Sequence, residues 1–145
     1  MDLAEARAAG VAAVAAAAVA TEAVRAAITA ADSVGKADKS PVTVADFAAQ
    51  AILILKLREA FPGVPVVTEE GADTLRAPAG AELAAKVVGR VQACAGCEGL
   101  SAGAILDAID LGRASPPGPL DGAAAPRYFW CIDAIDGTST QPRAT

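Results

Sequence analysis

Histidine is absent from this chain of 145 residues, and aromatic residues make up only 3% of it. Without histidine, neither a serine–histidine–aspartate triad nor a histidine-ligated zinc site can form within the chain. Three cysteines are an odd number, which disfavours a disulfide framework and favours a reducing compartment. No uninterrupted apolar run approaches the roughly 18 residues of a membrane span. Because Asp2 and Glu5 are unusual in a signal or transit peptide, we expect a cytoplasmic protein that does not cross a membrane.

Alanine dominates what is present, with 39 residues in a chain that is 54% hydrophobic. This length is typical of one domain, and its core must be built from small side chains that each contribute little transfer free energy. The net charge is −5. This acidic balance argues against a general binder of nucleic acid polymers, whose affinity depends on basic side chains.

Hydrophobic periodicity and turn residues predict a mixed helical and stranded chain. In the first helix, Val11, Val14, Val19, Ala23 and Ile28 are the expected apolar stripe. The remaining expectations are helices at 1–32, 43–60, 81–94 and 100–111, strands at 64–68 and 127–133, and loops at 72–80 and 114–126. By periodicity alone this is an α/β or α+β domain, with Thr43 as the amino-terminal cap of the second helix.

Carboxylates follow both predicted strands. Glu69 and Glu70 follow the first strand, and Asp133 and Asp136 lie at the end of the second strand. The residues that flank them are apolar. Clustered carboxylates repel one another unless a cation neutralises them, and Mg²⁺ prefers such oxygen ligands. The Ile135 carbonyl could supply a third oxygen. Each acidic pair alone is more often a solvated surface feature, but both pairs together favour a metal site.

The residues after Asp136 extend this interpretation. Gly137 permits close backbone approach, and free N–H groups at Gly137 and Thr138 would suit a phosphate if a helix began there. A metal beside a phosphate-binding turn is typical of phosphate-ester chemistry.

Cys94 and Cys97 form a single CxxC motif. A redox pair or half of a metal site is one interpretation, and an ordinary turn at the end of a helix is the other. Without a second pair or a histidine, the chain has no four-ligand zinc set.

Three further motifs stand out, at residues 40–46 (SPVTVAD), 66–70 (VVTEE) and 130–138 (WCIDAIDGT). Together they resemble the lithium-sensitive, magnesium-dependent phosphatase superfamily that includes the inositol monophosphatases. The last motif matches the superfamily signature D-P-[IL]-D-G-T, with Ala134 in place of the proline. Within the superfamily, the chain is most similar to the 3′(2′),5′-bisphosphate nucleotidases, because of the stretch from Lys36 to Gln50 and the long interval from Glu69 to Asp133.

The resemblance implies a Mg²⁺-dependent phosphatase that hydrolyses the 3′-phosphate of 3′-phosphoadenosine 5′-phosphate, giving AMP and phosphate by attack of metal-activated water. The complete family site would hold two or three ions. The implied metal ligands are Glu69, Asp133, the Ile135 carbonyl and Asp136. The implied catalytic residues are Asp46, Thr138 and Glu69, and the implied phosphate-binding amides are those of Gly137 and Thr138.

The resemblance also implies an α+β fold, namely the amino-terminal part of the layered sugar-phosphatase fold of inositol monophosphatases. Residues 1–138 would form the metal-binding domain, and residues 139–145 a divergent tail. Because the family chain is longer, activity in this chain is expected to be impaired. The alternatives are an inositol monophosphatase-like sugar phosphatase, or a non-catalytic fragment that self-associates through an uncovered domain edge.

Overall fold

The computed structural model describes residues 1–31, 40–112 and 128–135, with side chains for 1–26, 44–112 and 128–135. These residues form a mixed α+β structure, as predicted. The elements in chain order are α1 (Leu3–Ala31), α2 (Ser40–Ala60), β1 (Val66–Thr68), α3 (Asp73–Arg76), a 3₁₀ turn (Pro78–Gly80), α4 (Ala81–Gln92), α5 (Ala102–Leu111) and β2 (Trp130–Ile132).

Both strands are shorter than predicted, at Val66–Thr68 and Trp130–Ile132, and α4 and α5 are each two residues shorter. The start of α2 and the segment at 72–80 differ for physical reasons. Helix α2 begins at Ser40 and not after a cap at Thr43, because Pro41 fits the first helical turn, where its missing N–H would have no partner. The expected loop at 72–80 instead contains α3 and the 3₁₀ turn. Leu75 is buried in this segment, so a local apolar anchor stabilises the short helix.

Helix α1 packs on α2 through alanine rather than through the predicted valine stripe. Val11, Val14 and Val19 are 64%, 59% and 73% exposed, so that prediction is wrong for them, and the side chain of Ile28 lies outside the described ones. The buried face consists of Ala6, Ala13, Ala17, Ala20 and Val24. A methyl side chain permits close approach of two helix backbones, and alanine therefore fills most of this face.

Helix α2 is the centre of the core. Its residues from Val44 to Ile54 are buried apart from the half-buried Asp46. A helix that is apolar around its circumference must be covered on several sides, and α2 contacts α1, α4 and α5. Val87 and Val91 of α4 and Ile105 and Ile109 of α5 complete the cluster.

Strands β1 and β2 form a two-stranded parallel sheet, with Val66 opposite Trp130 and Thr68 opposite Ile132. The loop after α5 contacts β1, because the Thr68 N–H donates to the Gly112 carbonyl at 2.7 Å. Gly112 is needed there, since an added Cβ would lie 2.6 Å from Thr68 Cγ2. This contact ties the carboxyl end of β1 to α5.

By length and composition alone, residues 3–26 of α1 could cross a membrane, although only 22% of the most apolar window is buried. A core helix of a soluble protein and a signal sequence meet the same criterion. The expectation of a cytoplasmic protein without a membrane segment therefore stays a prediction.

Candidate active site

The two predicted acidic residues lie at the same end of the sheet. Glu69 follows the last residue of β1, and Asp133 follows the last residue of β2. Thr68 is paired with Ile132 in a parallel register, so the next residues along both strands are Glu69 and Asp133. Neighbouring strands lie about 4.8 Å apart. The fold thus brings two exposed carboxylates from distant parts of the sequence to one edge.

The other predicted site residues are placed only in part. Ile135 is half-buried and packs against the core just beyond Asp133. Asp46 is half-buried in the second turn of α2. Asp136, Gly137 and Thr138 lie outside the described residues, so the predictions for them stay predictions.

Gln50 positions the segment that carries Glu69, a contact that the sequence analysis did not predict. It is 2% exposed, and it is buried among apolar side chains of α2. Its Nε2 donates to the Glu70 carbonyl at 2.8 Å, and the Glu70 N–H donates to its Oε1 at 3.4 Å. The only sequence signal is a glutamine at a core position of a helix. Because Asp46 and Gln50 are one turn apart, they share the face of α2 that meets this segment.

Helix α5 holds the following residues from the other side. Asp110 Oδ1 accepts the Ala72 N–H at 2.7 Å, and Asp110 Oδ2 accepts from Arg76 Nε at 3.1 Å. Arg76 also donates to Asp107 Oδ1 at 2.6 Å. The bonds to Asp107 and Asp110 raise the pKa of the Arg76 guanidinium. The turn after β1 is therefore fixed at both ends, by α2 at Glu70 and by α5 at Ala72.

The donor atoms at this edge fit a hard divalent cation. Carboxylates supply oxygen donors, which Mg²⁺ and Ca²⁺ prefer over nitrogen or sulfur. Among the described residues, no group of three or more acidic or cysteine side chains is close enough to hold an ion. Glu69 and Asp133 are thus two candidate ligands, and the sequence predicts Asp136 as a further one.

Replacement of Gln50 by leucine should weaken both the fold and cation binding. The variant leaves the Glu70 N–H and C=O without their partner, which should lower the free energy of unfolding by about 1–3 kcal/mol. It should also reduce the rise in melting temperature that Mg²⁺ produces, because Glu69 is no longer held in place. Differential scanning fluorimetry with and without Mg²⁺ measures both effects.

Gln92→Leu is the matched control for this variant. Gln92 Nε2 donates to the Leu100 carbonyl at 2.8 Å, which joins the last residue of α4 to the segment just before α5. Its loss should lower the melting temperature and leave the Mg²⁺-dependent rise intact. An equal loss of that rise in both variants would contradict a positioning role for Gln50.

Comparison with known proteins identifies the family. The model of the inositol monophosphatase family matches residues 2–140. The chain therefore belongs to the inositol monophosphatase family. This agrees with the mixed α+β structure.

Named relatives are 3′(2′),5′-bisphosphate nucleotidases. One from Emericella nidulans is 40% identical over 114 residues, covering 73% of this chain and 30% of the relative. One from Schizosaccharomyces pombe is 39% identical over 111 residues, covering 75% of this chain and 31% of the relative. A protein of Arabidopsis thaliana, assigned by name as a mitochondrial member, is 38% identical over 107 residues, covering 72% of this chain and 25% of the relative. The chain thus spans less than a third of the length of these relatives.

Proposed function

We propose that this chain carries part of the active site of a divalent-cation-dependent phosphatase for 3′(2′),5′-bisphosphate nucleotides. The reaction is hydrolysis of the 3′-phosphate of 3′-phosphoadenosine 5′-phosphate, which gives AMP and phosphate. The observation that carries the proposal is the parallel register that brings Glu69 and Asp133 to one sheet edge. The names of the relatives support the substrate class.

The proposed cation is Mg²⁺, held by the carboxylates of Glu69 and Asp133 and the Ile135 carbonyl, with Asp136 as a ligand of a second ion. When bound, such ions lower the pKa of water and stabilise the charge that develops on a transferring phosphoryl group. Two carboxylates at one edge repel each other without a cation, so this charge arrangement favours binding. By family resemblance, the complete site holds two or three ions.

The chain's own residues would position the water and the phosphate. In the proposal the Asp46 carboxylate accepts a hydrogen bond from the Thr138 hydroxyl. This pair, together with Glu69, would take the proton of the attacking water. A threonine hydroxyl alone is a weak base, so a carboxylate behind it is required. The backbone N–H groups of Gly137 and Thr138 would bind the scissile phosphate.

Phosphate release from 3′-phosphoadenosine 5′-phosphate by the purified chain, with and without Mg²⁺, tests this function. Mg²⁺-dependent release that exceeds release from inositol monophosphate is the expected result. The reverse preference would favour the sugar phosphatase alternative. Absence of release from a sample that circular dichroism shows to be folded would contradict catalysis by this chain alone. Positioning groups carry much of the rate in phosphoryl chemistry, so an incomplete set of them would account for that result.

Self-association is a second candidate, favoured by an exposed apolar surface beside β2. Leu3 is 66% exposed and Phe129 is 50% exposed, and together with Val11 and Val14 they line one groove. Within the described residues, β2 pairs with β1 alone, and a free strand edge promotes pairing with another chain.

We propose that a second copy covers this surface in the cytoplasm. Light scattering during size-exclusion chromatography should then show a dimer, which Val11→Lys with Val14→Lys dissociates; a wild-type monomer at all concentrations would contradict it.

A further inference from the structure

Cys94 and Cys97 lie at the two ends of a tight turn that follows α4. The Cys97 N–H donates to the Cys94 carbonyl at 2.9 Å, and Gly96 between them has a φ of +83°. This hydrogen bond and a positive φ at the third residue are features of a type II turn, in which the first and fourth Cα atoms are less than about 7 Å apart. Disulfides span Cα distances of about 4.4–6.8 Å. The backbone therefore holds the two cysteines at a separation that a disulfide can bridge.

The two thiols have different environments. Cys97 is 2% exposed and belongs to the main core cluster, whereas Cys94 is half-buried at its margin. Burial, followed by the neighbouring Cys94, raises the pKa of the Cys97 thiol. Cys94 also lines a groove of about 790 Å³ between α1, the end of α2 and the end of α4. A small molecule in the groove can therefore reach Cys94 and cannot reach Cys97.

The groove combines an apolar floor with a charged rim. Alanines of α1 form much of the floor, and Lys56, Glu59 and Arg90 supply the charges. Lys56 Nζ donates to the Ala95 carbonyl at 2.8 Å, which fixes the ammonium group against the turn. Glu98 Oε2 accepts the Gly96 N–H at 2.9 Å, so two cations and two carboxylates lie around the turn. The size of the groove and its opening at Cys94 fit a small disulfide.

We propose that Cys94 and Cys97 form a redox-active dithiol, which a low-molecular-weight disulfide bound in the groove oxidises through Cys94. In the first step, the Cys94 thiolate attacks one sulfur of the small disulfide, whose S–S bond breaks, and one small thiol leaves. In the second step, the Cys97 thiolate attacks Cys94 sulfur and expels the second small thiol. The protein loses two electrons, the small disulfide gains them, and the two thiol protons end on the released thiols.

This inference goes beyond the proposed phosphatase function and uses none of its residues. Cys131 of β2 is the third cysteine of the chain, and it is exposed. It could form mixed disulfides or link two copies, so it is removed in the test. Cys131→Ser is therefore the parent for all variants.

Oxidised glutathione is the probe. The parent chain, incubated with it, is alkylated and mapped by mass spectrometry, with circular dichroism as the check on folding. We expect the parent to lose the mass of two hydrogen atoms, with a disulfide between Cys94 and Cys97. Cys97→Ser should accumulate a glutathione adduct on Cys94, because the second thiol is missing. Cys94→Ser should keep Cys97 reduced, with an adduct formed at least about tenfold more slowly, because Cys97 is shielded.

Two results would overturn the proposal. One is a folded parent whose Cys94 and Cys97 both stay reduced, or carry glutathione without forming the internal disulfide. The other is equal adduct rates for Cys97 in Cys94→Ser and for Cys94 in Cys97→Ser, since this would remove the ordered exchange. Because none of these readouts depends on phosphate release, they are independent of the outcome of the phosphatase assay.

Discussion

Glu69→Gln should lower Mg²⁺-dependent phosphate release by at least about a hundredfold, because loss of a residue that merely supports a metal ligand already costs about 10–100-fold. Glutamine has the same shape and keeps one carbonyl oxygen, but it removes the charge that a divalent cation needs. Glu69 is exposed, so the substitution leaves the core intact. Mg²⁺-dependent release at the level of the parent would contradict the role of Glu69, or would come from a contaminating phosphatase present in both samples.

Glu70→Gln is the matched control for that variant. It removes the same charge one residue further on, in a segment whose backbone Gln50 holds. Release should stay within a fewfold of the parent, and the Mg²⁺-dependent rise in melting temperature should be retained. If Glu70→Gln is as damaging as Glu69→Gln, the assignment of Glu69 as the ligand is wrong.

The sequence predicts the elements of this fold better than their contacts. Val87 and Val91 of α4 and Ile105 and Ile109 of α5 are buried as their helical spacing predicts. Val11, Val14 and Val19 of α1 are exposed despite a similar pattern. Hydrophobic spacing identifies which residues are apolar, but the partner helix decides which apolar face is buried. For α1, the close approach to α2 selects alanine.

The candidate site shows the same division between what sequence can and cannot predict. The positions of Glu69 and Asp133 after apolar strands, together with family resemblance, predict them as site residues. Their approach depends on the pairing of β1 with β2, which are separated by more than 60 residues of chain. A local pattern contains no information on such a register. Gln50 escapes prediction for a related reason, because its role exists only when Glu70 packs against α2.

Gly80→Ala is expected to be the most destabilising single-methyl change among the described residues. Gly80 is buried between the 3₁₀ turn and α4. Its φ of −92° suits any residue, so the obstacle is steric and not conformational. An added Cβ would overlap the carbonyl oxygen of Thr74 and lie 3.0 Å from its carbonyl carbon. Since backbone cannot rotate away as a side chain can, α3 would have to shift, at about 2–3 kcal/mol of unfolding free energy.

Gly89→Ala adds the same methyl group without that contact and should change stability in the opposite direction. Gly89 lies in α4, and a Cβ added there would meet no atom within 4 Å. Alanine in a helix is more favourable than glycine by about 0.5–1 kcal/mol. Urea unfolding of both variants should therefore give midpoints on either side of the parent.

The two variants should also differ in their response to Mg²⁺. Helix α3 begins three residues after Glu70 and bonds to α5 through Arg76, so Gly80→Ala should weaken the Mg²⁺-dependent rise in melting temperature. Gly89→Ala should leave that rise unchanged. Two variants that move stability in the same direction would mean that the Thr74 contact does not govern this part of the fold.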